Sequence, residues 1–346
     1  METLNFSTKG KTLKRLVGKL TTANIAPLYL FTRGDWKQNS DQCKEEILKL
    51  VQSGEQLIVR SSSKDEDTDQ TSNAGVYLSI PHVQSTNIGQ AIEDVFGSYN
   101  SVDEDDEVLV QPMLGDVVMS GVAFSHDIQT GAPYRTINWS NSCNTSDVTS
   151  GNSDTNLWYH AAASETIKNG EMQTIIVLIE ELLVLFGGIP IDCEFAITEV
   201  GKEKILWLLQ ARPLILIKKP ESIKKQLEKL NRIKSKYIGS MHSPPLLVGE
   251  KTLYGIMPDW NPAEILGARP KPLAASLYRE LITDSIWADQ RYQYGYRDVR
   301  GIPLMQDFYG LPYIDVRLSF NSFIPADIDK NLARKLVNYY LDRLEK

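Results

Sequence analysis

The sequence predicts an α+β chain of more than one unit, and three observations carry that expectation. Short runs alternate apolar and polar residues with a period of two, the mark of half-buried strands. Longer runs at 171–186 and 220–237 are apolar nearly throughout or carry an apolar stripe at helical spacing. Finally, 42% hydrophobic and 23% charged residues over 346 positions is the balance of an ordinary soluble globular protein with room for two cores.

The first two hundred residues mix both patterns. STKGKTLKRL (7–16) is a turn entering a helix, DQCKEEILKLVQSG (41–54) an amphipathic helix stopped by Gly54, and QLIVR (56–60) a short buried strand. That strand runs into the polar loop SSSKDEDTDQTSN (61–73). EVLVQPML (107–114) is another apolar strand, and SGVAFSHDIQTGAPYRTINW (120–139) reads as strand, turn at Thr130 and Gly131, and returning strand. From Asn138 to Asn156 the chain is poor in apolar residues, which predicts a mobile loop. A buried helix over 171–186 follows, ended by Gly187 and Gly188.

The stretch 190–213, PIDCEFAITEVGKEKILWLLQARP, is the most informative. Alternation at Ile191, Cys193, Phe195 and Ile197 places Asp192 and Glu194 on the opposite face of a strand. After a turn at Gly201, a second strand brings out Gln210 and Arg212. If even-numbered positions pair across the turn, two carboxylates, an amide and a guanidinium share one surface. Carboxylate and amide oxygens suit Mg²⁺, which keeps substrate phosphates among its ligands, and arginine suits a phosphate. A cross-strand ion pair of Asp192 or Glu194 with Arg212 is the alternative, and the hairpin alone leaves both open.

Beyond the hairpin, PESIKKQLEKLNRIKSKY (220–237) predicts a linker helix docked by the stripe Ile223, Leu227, Leu230, Ile233 and Tyr237, with solvated lysines opposite. The third part holds MPDWNPAEILGARPKPL (257–273), a helix over 274–293, and the strand YIDVRLSF (313–320). Alternation there turns Asp315 and Arg317 to one face, where they could hold a zwitterionic substrate or form a structural ion pair. A last helix from about Asp329 runs to Lys346 without a capping glycine, which predicts further chain beyond it. The expected domains are 1–215, a linker helix over 216–250, and the N-terminal part of a substrate-binding domain over 251–346.

A net charge of −7 argues against a whole-surface nucleic-acid binder. Three cysteines, Cys43, Cys143 and Cys193, lack metal-ligand spacing and fit a reducing compartment. With no signal-type segment and no run of about twenty apolar residues, the expectation is a cytoplasmic protein without membrane insertion.

Four separated segments together resemble the ATP-grasp nucleotide-binding domain of the phosphoenolpyruvate synthase and pyruvate phosphate dikinase family. These are the lysine-containing turn at Lys9; Arg60-Ser61-Ser62 with Glu66-Asp67 and Ala74-Gly75; VLVQPM with Ser120 to Phe124; and Asp192, Glu194 with Leu209 to Pro213. Two departures stand out: Ser7 and Thr8 replace the glycines before Lys9, and the glycine-rich segment expected before the long helix is not recognisable in 138–155. The resemblance implies that Lys9 and Arg60 contact phosphates, where positioning and electrostatics govern phosphoryl transfer. It implies that Glu194 and Gln210 hold Mg²⁺ with Asp192 and Arg212 close by, and that the segment of Gln111, Met113 and Leu114 receives the adenine of ATP. Against these stand plainer readings: Lys9 as a helix-start lysine, Arg60 as a strand-end ion pair, and Gln111 as an ordinary edge residue.

The family works through a mobile phosphohistidine domain that takes the β-phosphate of ATP and releases AMP. None of His82, His126, His160 and His242 has the sequence context of that carrier, so the resemblance implies a missing C-terminal phosphohistidine domain and an isolated chain that binds Mg-ATP with little turnover. The last hundred residues look like the sugar-polymer-associated members of the family, most like those that phosphorylate the amide of L-glutamine, which implies L-glutamine as the small-molecule acceptor. The alternatives are an ATP-grasp ligase that forms an acyl phosphate and releases ADP, and a nucleotide-binding module without chemistry of its own.

Overall fold

The computed structural model describes residues 3–51, 55–63, 67–68, 71–72, 78–99, 102–141, 156–164, 170–256 and 259–346. Gly54, Glu66, Ala74, Gly75, Cys143 and all but the ends of the predicted 138–156 loop lie outside the described residues, as does the side chain of Asp67. The chain is α+β, and its contacts divide it into Met1–Leu227 and Glu228–Lys346, a division that falls inside the helix following the hairpin.

The first unit runs α1 (Lys9–Leu16), β1 (Tyr29–Thr32), α2 (Arg33–Leu48), β2 (Leu57–Ser62), β3 (Ser79–Val83), α3 (Ile88–Gly97), β4 (Glu107–Pro112), β5 (Val117–Phe124), β6 (Tyr134–Ser140), β7 (Asn156–Ala161), α4 (Gly170–Leu185), β8 (Ile191–Val200) and β9 (Glu203–Pro213). A small two-residue ladder joins Asp67–Thr68 to Thr71–Ser72. The main strands form two antiparallel sheets, a four-stranded one in the order β1-β4-β2-β3 and a five-stranded one in the order β9-β8-β5-β6-β7.

Each sheet is covered on one face by helices, and the period of two decides which residues go there. In the smaller sheet Leu57, Val59, Val108 and Val110 pack with Trp36, Ile47, Ile92 and Phe96 of α2 and α3. In the larger one Ala123, Ile137, Ile191, Cys193 and Ala211 pack with Ile175, Ile179 and Leu182 of α4. Their even-numbered neighbours are thereby left to the opposite faces. The helix α4 buries one side only, since Val177 and Val184 remain 42% and 69% exposed.

Helix α2 starts eight residues before the predicted 41–54 helix and ends at Leu48, short of Gly54. A capping box sets its start: the Thr32 hydroxyl accepts from Asp35 N, and the Asp35 carboxylate accepts from Thr32 N. A non-helical residue, Asn39, kinks it, so the apolar stripe read from the sequence covers only the second half.

The second unit contains most of α5 (Ile223–Ser240), then β10 (Tyr254–Gly255), α6 (Pro262–Leu266), α7 (Pro272–Tyr278), α8 (Ile286–Gln293), β11 (Met305–Phe308), β12 (Leu311–Asp315), α9 (Val316–Asn321) and α10 (Lys330–Glu345). A three-stranded antiparallel sheet, β10-β12-β11, carries the core of Trp287, Leu304, Ile314 and Leu318. The helix predicted over 274–293 is broken by a π turn over Arg279–Thr283 and by Ser285 at φ −145°.

The strand predicted over 313–320 ends at Asp315. There the Asp315 carboxylate caps α9 by accepting from Leu318 N at 3.0 Å and from the Thr252 hydroxyl at 2.6 Å. Arg317 is then 1% exposed and donates to the carbonyls of Ser240, Met241 and His242. The α5 stripe is not docked as expected: Ile223, Leu227 and Tyr237 are 47%, 44% and 42% exposed. In the second unit Leu230, Ile233 and Tyr237 instead line a cavity of about 1110 Å³ with Tyr254, Phe308 and Phe320. Among the described residues no helix is long and apolar enough to cross a membrane.

Candidate functional site

In the hairpin of β8 and β9, Asp192 stands opposite Arg212 and Glu194 opposite Gln210. Gly201, at φ +69°, makes the turn, whose own register pairs Val200 with Glu203 and Ala196 with Trp207. One irregularity then creates a contact point. Glu194 pairs with Gln210 and Phe195 with Leu208, so Leu209 is an extra residue in β9. Arg60, reaching from β2 of the other sheet, donates Nη1 to the Leu209 carbonyl at 2.9 Å and Nη2 to Glu194 Oε2 at 3.1 Å. Its guanidinium therefore ties the two sheets together at the carboxylate row.

Lys9 arrives from a third direction. The Thr8 hydroxyl caps α1 and donates to Glu107 of β4 at 2.6 Å, while Gly10 N donates to the Ser62 hydroxyl at 2.9 Å. A Cβ on residue 10 would stand 2.3 Å from Leu30 Cδ1, so with glycine there α1 sits against β1 without turning the Leu30 side chain aside. Thr8, where the related pattern has glycine, thus does structural work as a cap. Lys9 is held 7% exposed, near enough to Glu194 to act on its charge.

Burial alone would raise the Glu194 carboxyl, but the Lys9, Arg60 and Arg212 cations outweigh it and hold the group below the ordinary carboxylate range. Asp192 accepts from Arg212 Nε at 2.7 Å. Among the described residues three cations thus act on Glu194, one of them shared with Asp192. Gln210 is 3% exposed, and among the described residues its Oε1 has no hydrogen-bond partner. An amide oxygen left bare in a buried place costs free energy unless a ligand meets it.

These residues fit a hard cation shared with phosphates. The donor set is an ionised carboxylate and an unmet amide oxygen, and the cations around it suit phosphate oxygens. Among the described residues no three His, Cys, Asp or Glu side chains cluster to hold a metal by themselves. Mg²⁺ needs no such cage, because it takes one or two protein oxygens and fills its shell with water and substrate phosphate.

The segment expected to receive adenine is more committed than its sequence implied. The Gln111 side chain, 5% exposed, donates to the Ala26 carbonyl at 3.2 Å, and Met113 N donates to the Gln56 carbonyl at 2.9 Å. Leu114 is half-buried beside them. Asp315 and Arg317 belong to the second unit, where both serve the ends of helices. Two groups escaped the sequence reading: Thr136 and Asn138 of β6 lie on the same face as Asp192 and Glu194, through the pairs Asp192–Phe124–Thr136 and Glu194–Val122–Asn138. Their alternation with the buried Ile137 was the available signal.

No family model matches this chain, and no curated protein is similar to it. Solved structures do resemble it. D-Alanine-D-alanine ligase from Helicobacter pylori shares 14% identity over 65% of this chain and 60% of its own, with a TM-score of 0.35. D-Alanyl-alanine synthetase A from Vibrio cholerae shares 16% identity over 65% and 60% of the two chains, with a TM-score of 0.36. ATP citrate lyase from Methanothrix soehngenii shares 12% over 60% and 50%, also at 0.36. This chain spans about 60% of the length of the two ligases. Likenesses of this size leave function to be argued from the site.

Proposed function

We propose that Met1–Leu227 binds Mg-ATP between its two sheets as an ATP-grasp unit, in an enzyme that activates a small-molecule acceptor by phosphoryl transfer. The observation that carries this reading is the Arg60 guanidinium, which links the sheets at Glu194 and Leu209 beside the unmet oxygen of Gln210. Lys9, Arg60 and Arg212 bind the phosphate oxygens and offset their charge in place before reaction, where such electrostatics is most effective. Glu194 and Gln210 hold Mg²⁺, which when bound neutralises charge developing on the phosphates. The segment Gln111 to Leu114 borders the adenine.

Of the two product routes, the direct one is the better supported. In it an acceptor carboxylate oxygen attacks the γ-phosphorus, the bond to the β,γ-bridging oxygen breaks, and ADP leaves with an acyl phosphate formed. It asks nothing of a histidine. His126 is buried against Ser125, with Ser125 Oγ and Nδ1 2.9 Å apart, and burial followed by the Arg135 charge pushes it down to about 4. His160 stacks on Trp158, and His82 Nδ1 lies 2.7 Å from Gln56. The route through a phosphohistidine to AMP, with L-glutamine as acceptor, rests on the sequence resemblance alone.

Calorimetry with ATP, with and without Mg²⁺, tests the binding, and chromatography of the nucleotide product separates the routes. Mg-dependent ATP binding that weakens in Glu194→Ala and Arg212→Ala is the expected result. Absence of binding, or variants with unchanged affinity, overturns the proposal. AMP as the product of L-glutamine-dependent turnover, in place of ADP, overturns the direct route.

A further inference from the structure

The even-numbered face of the larger sheet continues past the carboxylates. Two cross-strand rows run along it, Gln210–Glu194–Val122–Asn138–Leu157 and Arg212–Asp192–Phe124–Thr136–Tyr159. Thr136 is only 7% exposed, yet among the described residues its hydroxyl has no hydrogen-bond partner, and neither has Asn138 Oδ1. These two groups lie side by side on one strand, in a face that also carries the unmet Gln210 Oε1, and natural folds leave few such groups without a ligand or water to meet them. Beyond them Leu157 and Tyr159 of β7 stand 55% and 53% exposed.

This place is distinct from the nucleotide end of the face. The expected adenine segment is tied to the opposite side, because Gln111 binds Ala26 and Asn24 pairs with β9 through Leu206 and Leu208. At about 4.8 Å per strand, the Asn138 backbone lies about 10 Å beyond that of Glu194 and away from that edge. It is also uncharged. Asp192 is held by Arg212, while Arg135 turns to the other face, to Glu180 and the Ser125 carbonyl. Among the described residues an ammonium or carboxylate would find no counter-charge there.

We infer that Thr136 and Asn138 form the acceptor subsite and recognise an uncharged group that donates a hydrogen bond to Asn138 Oδ1 and exchanges a second with the Thr136 hydroxyl, with Val122, Phe124, Leu157 and Tyr159 flanking its apolar part. A primary carboxamide and a vicinal diol share this chemistry. The inference rests on the Mg-ATP reading of the same sheet face.

Saturation-transfer NMR on the protein loaded with the Mg²⁺ complex of a non-hydrolysable ATP analogue tests it, with propionamide, 1,2-propanediol and N,N-dimethylpropionamide as probes. One or both donor-bearing probes bind and identify the donor type, whereas the dimethyl amide, which has no donor, does not. Thr136→Val and Asn138→Leu each weaken the bound probe by about three- to tenfold, the usual worth of one neutral hydrogen bond, and Thr136→Ser restores it. If none of the probes binds while the nucleotide does, or if the dimethyl amide binds equally, the subsite assignment fails and the Mg-ATP reading stands. If Thr136→Val and Asn138→Leu instead weaken the nucleotide tenfold, the groups belong to the nucleotide and the acceptor assignment is overturned. Failure of the nucleotide itself to bind removes both.

Discussion

Replacing Glu194 with glutamine keeps the shape of the side chain and removes the charge on which Lys9, Arg60 and Arg212 converge. The loss to the ligand-free protein can be sized from its contacts. Glu194 accepts from Arg60 at 3.1 Å with 21% of its side chain exposed, and Arg60 is 11% exposed. A hydrogen bond to a charged partner contributes about 1.5–3 kcal/mol when buried, and the residual exposure places this one at about 2 kcal/mol. The sign with pH is fixed by the direction of the shift. The folded carboxyl lies below the ordinary 4.5, so its contribution is complete above that pH and disappears as pH falls through the folded value. Urea denaturation at pH 7 should therefore show Glu194→Gln less stable by about 2 kcal/mol. The gap to the wild type should close in the acid range below 4.5. In calorimetry the same variant should bind ATP with little response to Mg²⁺. Equal stability of the two proteins at pH 7, or a gap that persists into acid, refutes the electrostatic account of this residue.

Gln210→Leu removes an unmet buried oxygen, so the ligand-free protein should be equally stable or up to about 1 kcal/mol more stable in urea, while Mg-ATP affinity falls; a stability loss beyond that would mean the oxygen is satisfied after all. Gly10→Ala sets a methyl group 2.3 Å from Leu30 Cδ1, the end of a half-buried side chain that can turn aside, so the overpacking should cost about 1 kcal/mol or less. A thermal melt should show that loss, and the double variant with Leu30→Ala should recover part of it. Asp315→Ala deletes the cap of α9 and the partner of Thr252, so it should cost about 1–2 kcal/mol in thermal stability and leave Mg-ATP affinity untouched in calorimetry. A loss of nucleotide affinity there would return Asp315 to the binding machinery.

The hairpin itself was legible, because β8 alternates and Gly201 marks the turn, although that turn's own register would set Leu209 and Ala211 opposite Glu194 and Asp192. Its most consequential detail was not. Nothing in the run Leu208, Leu209, Gln210 announces that Leu209 is the extra residue whose carbonyl meets Arg60, because a bulge is decided by the partner strand and not by the bulged one. The contact from Arg60 to Glu194 spans 134 positions, beyond the reach of any local pattern. In the second unit local pattern misled outright. Alternation over 313–320 matches a strand, but a carboxylate at Asp315 can equally start a helix, and Thr252, 63 positions away, settles the choice by donating to it.

Thr136 and Asn138 show where the division lies between what a sequence states and what it withholds. Alternation with Ile137 is enough to put both on the face opposite the core, and in that sense they were as readable as Asp192 and Glu194. The carboxylates drew attention because ionised groups on one face demand an explanation whatever surrounds them. A threonine and an asparagine demand none until they are seen to be enclosed and unmet, and enclosure is a property of the assembled sheets. Sequence reading is therefore biased toward the charged half of a site of this kind, the half that handles phosphate. The half that chooses an uncharged acceptor is recognisable only from burial without partners.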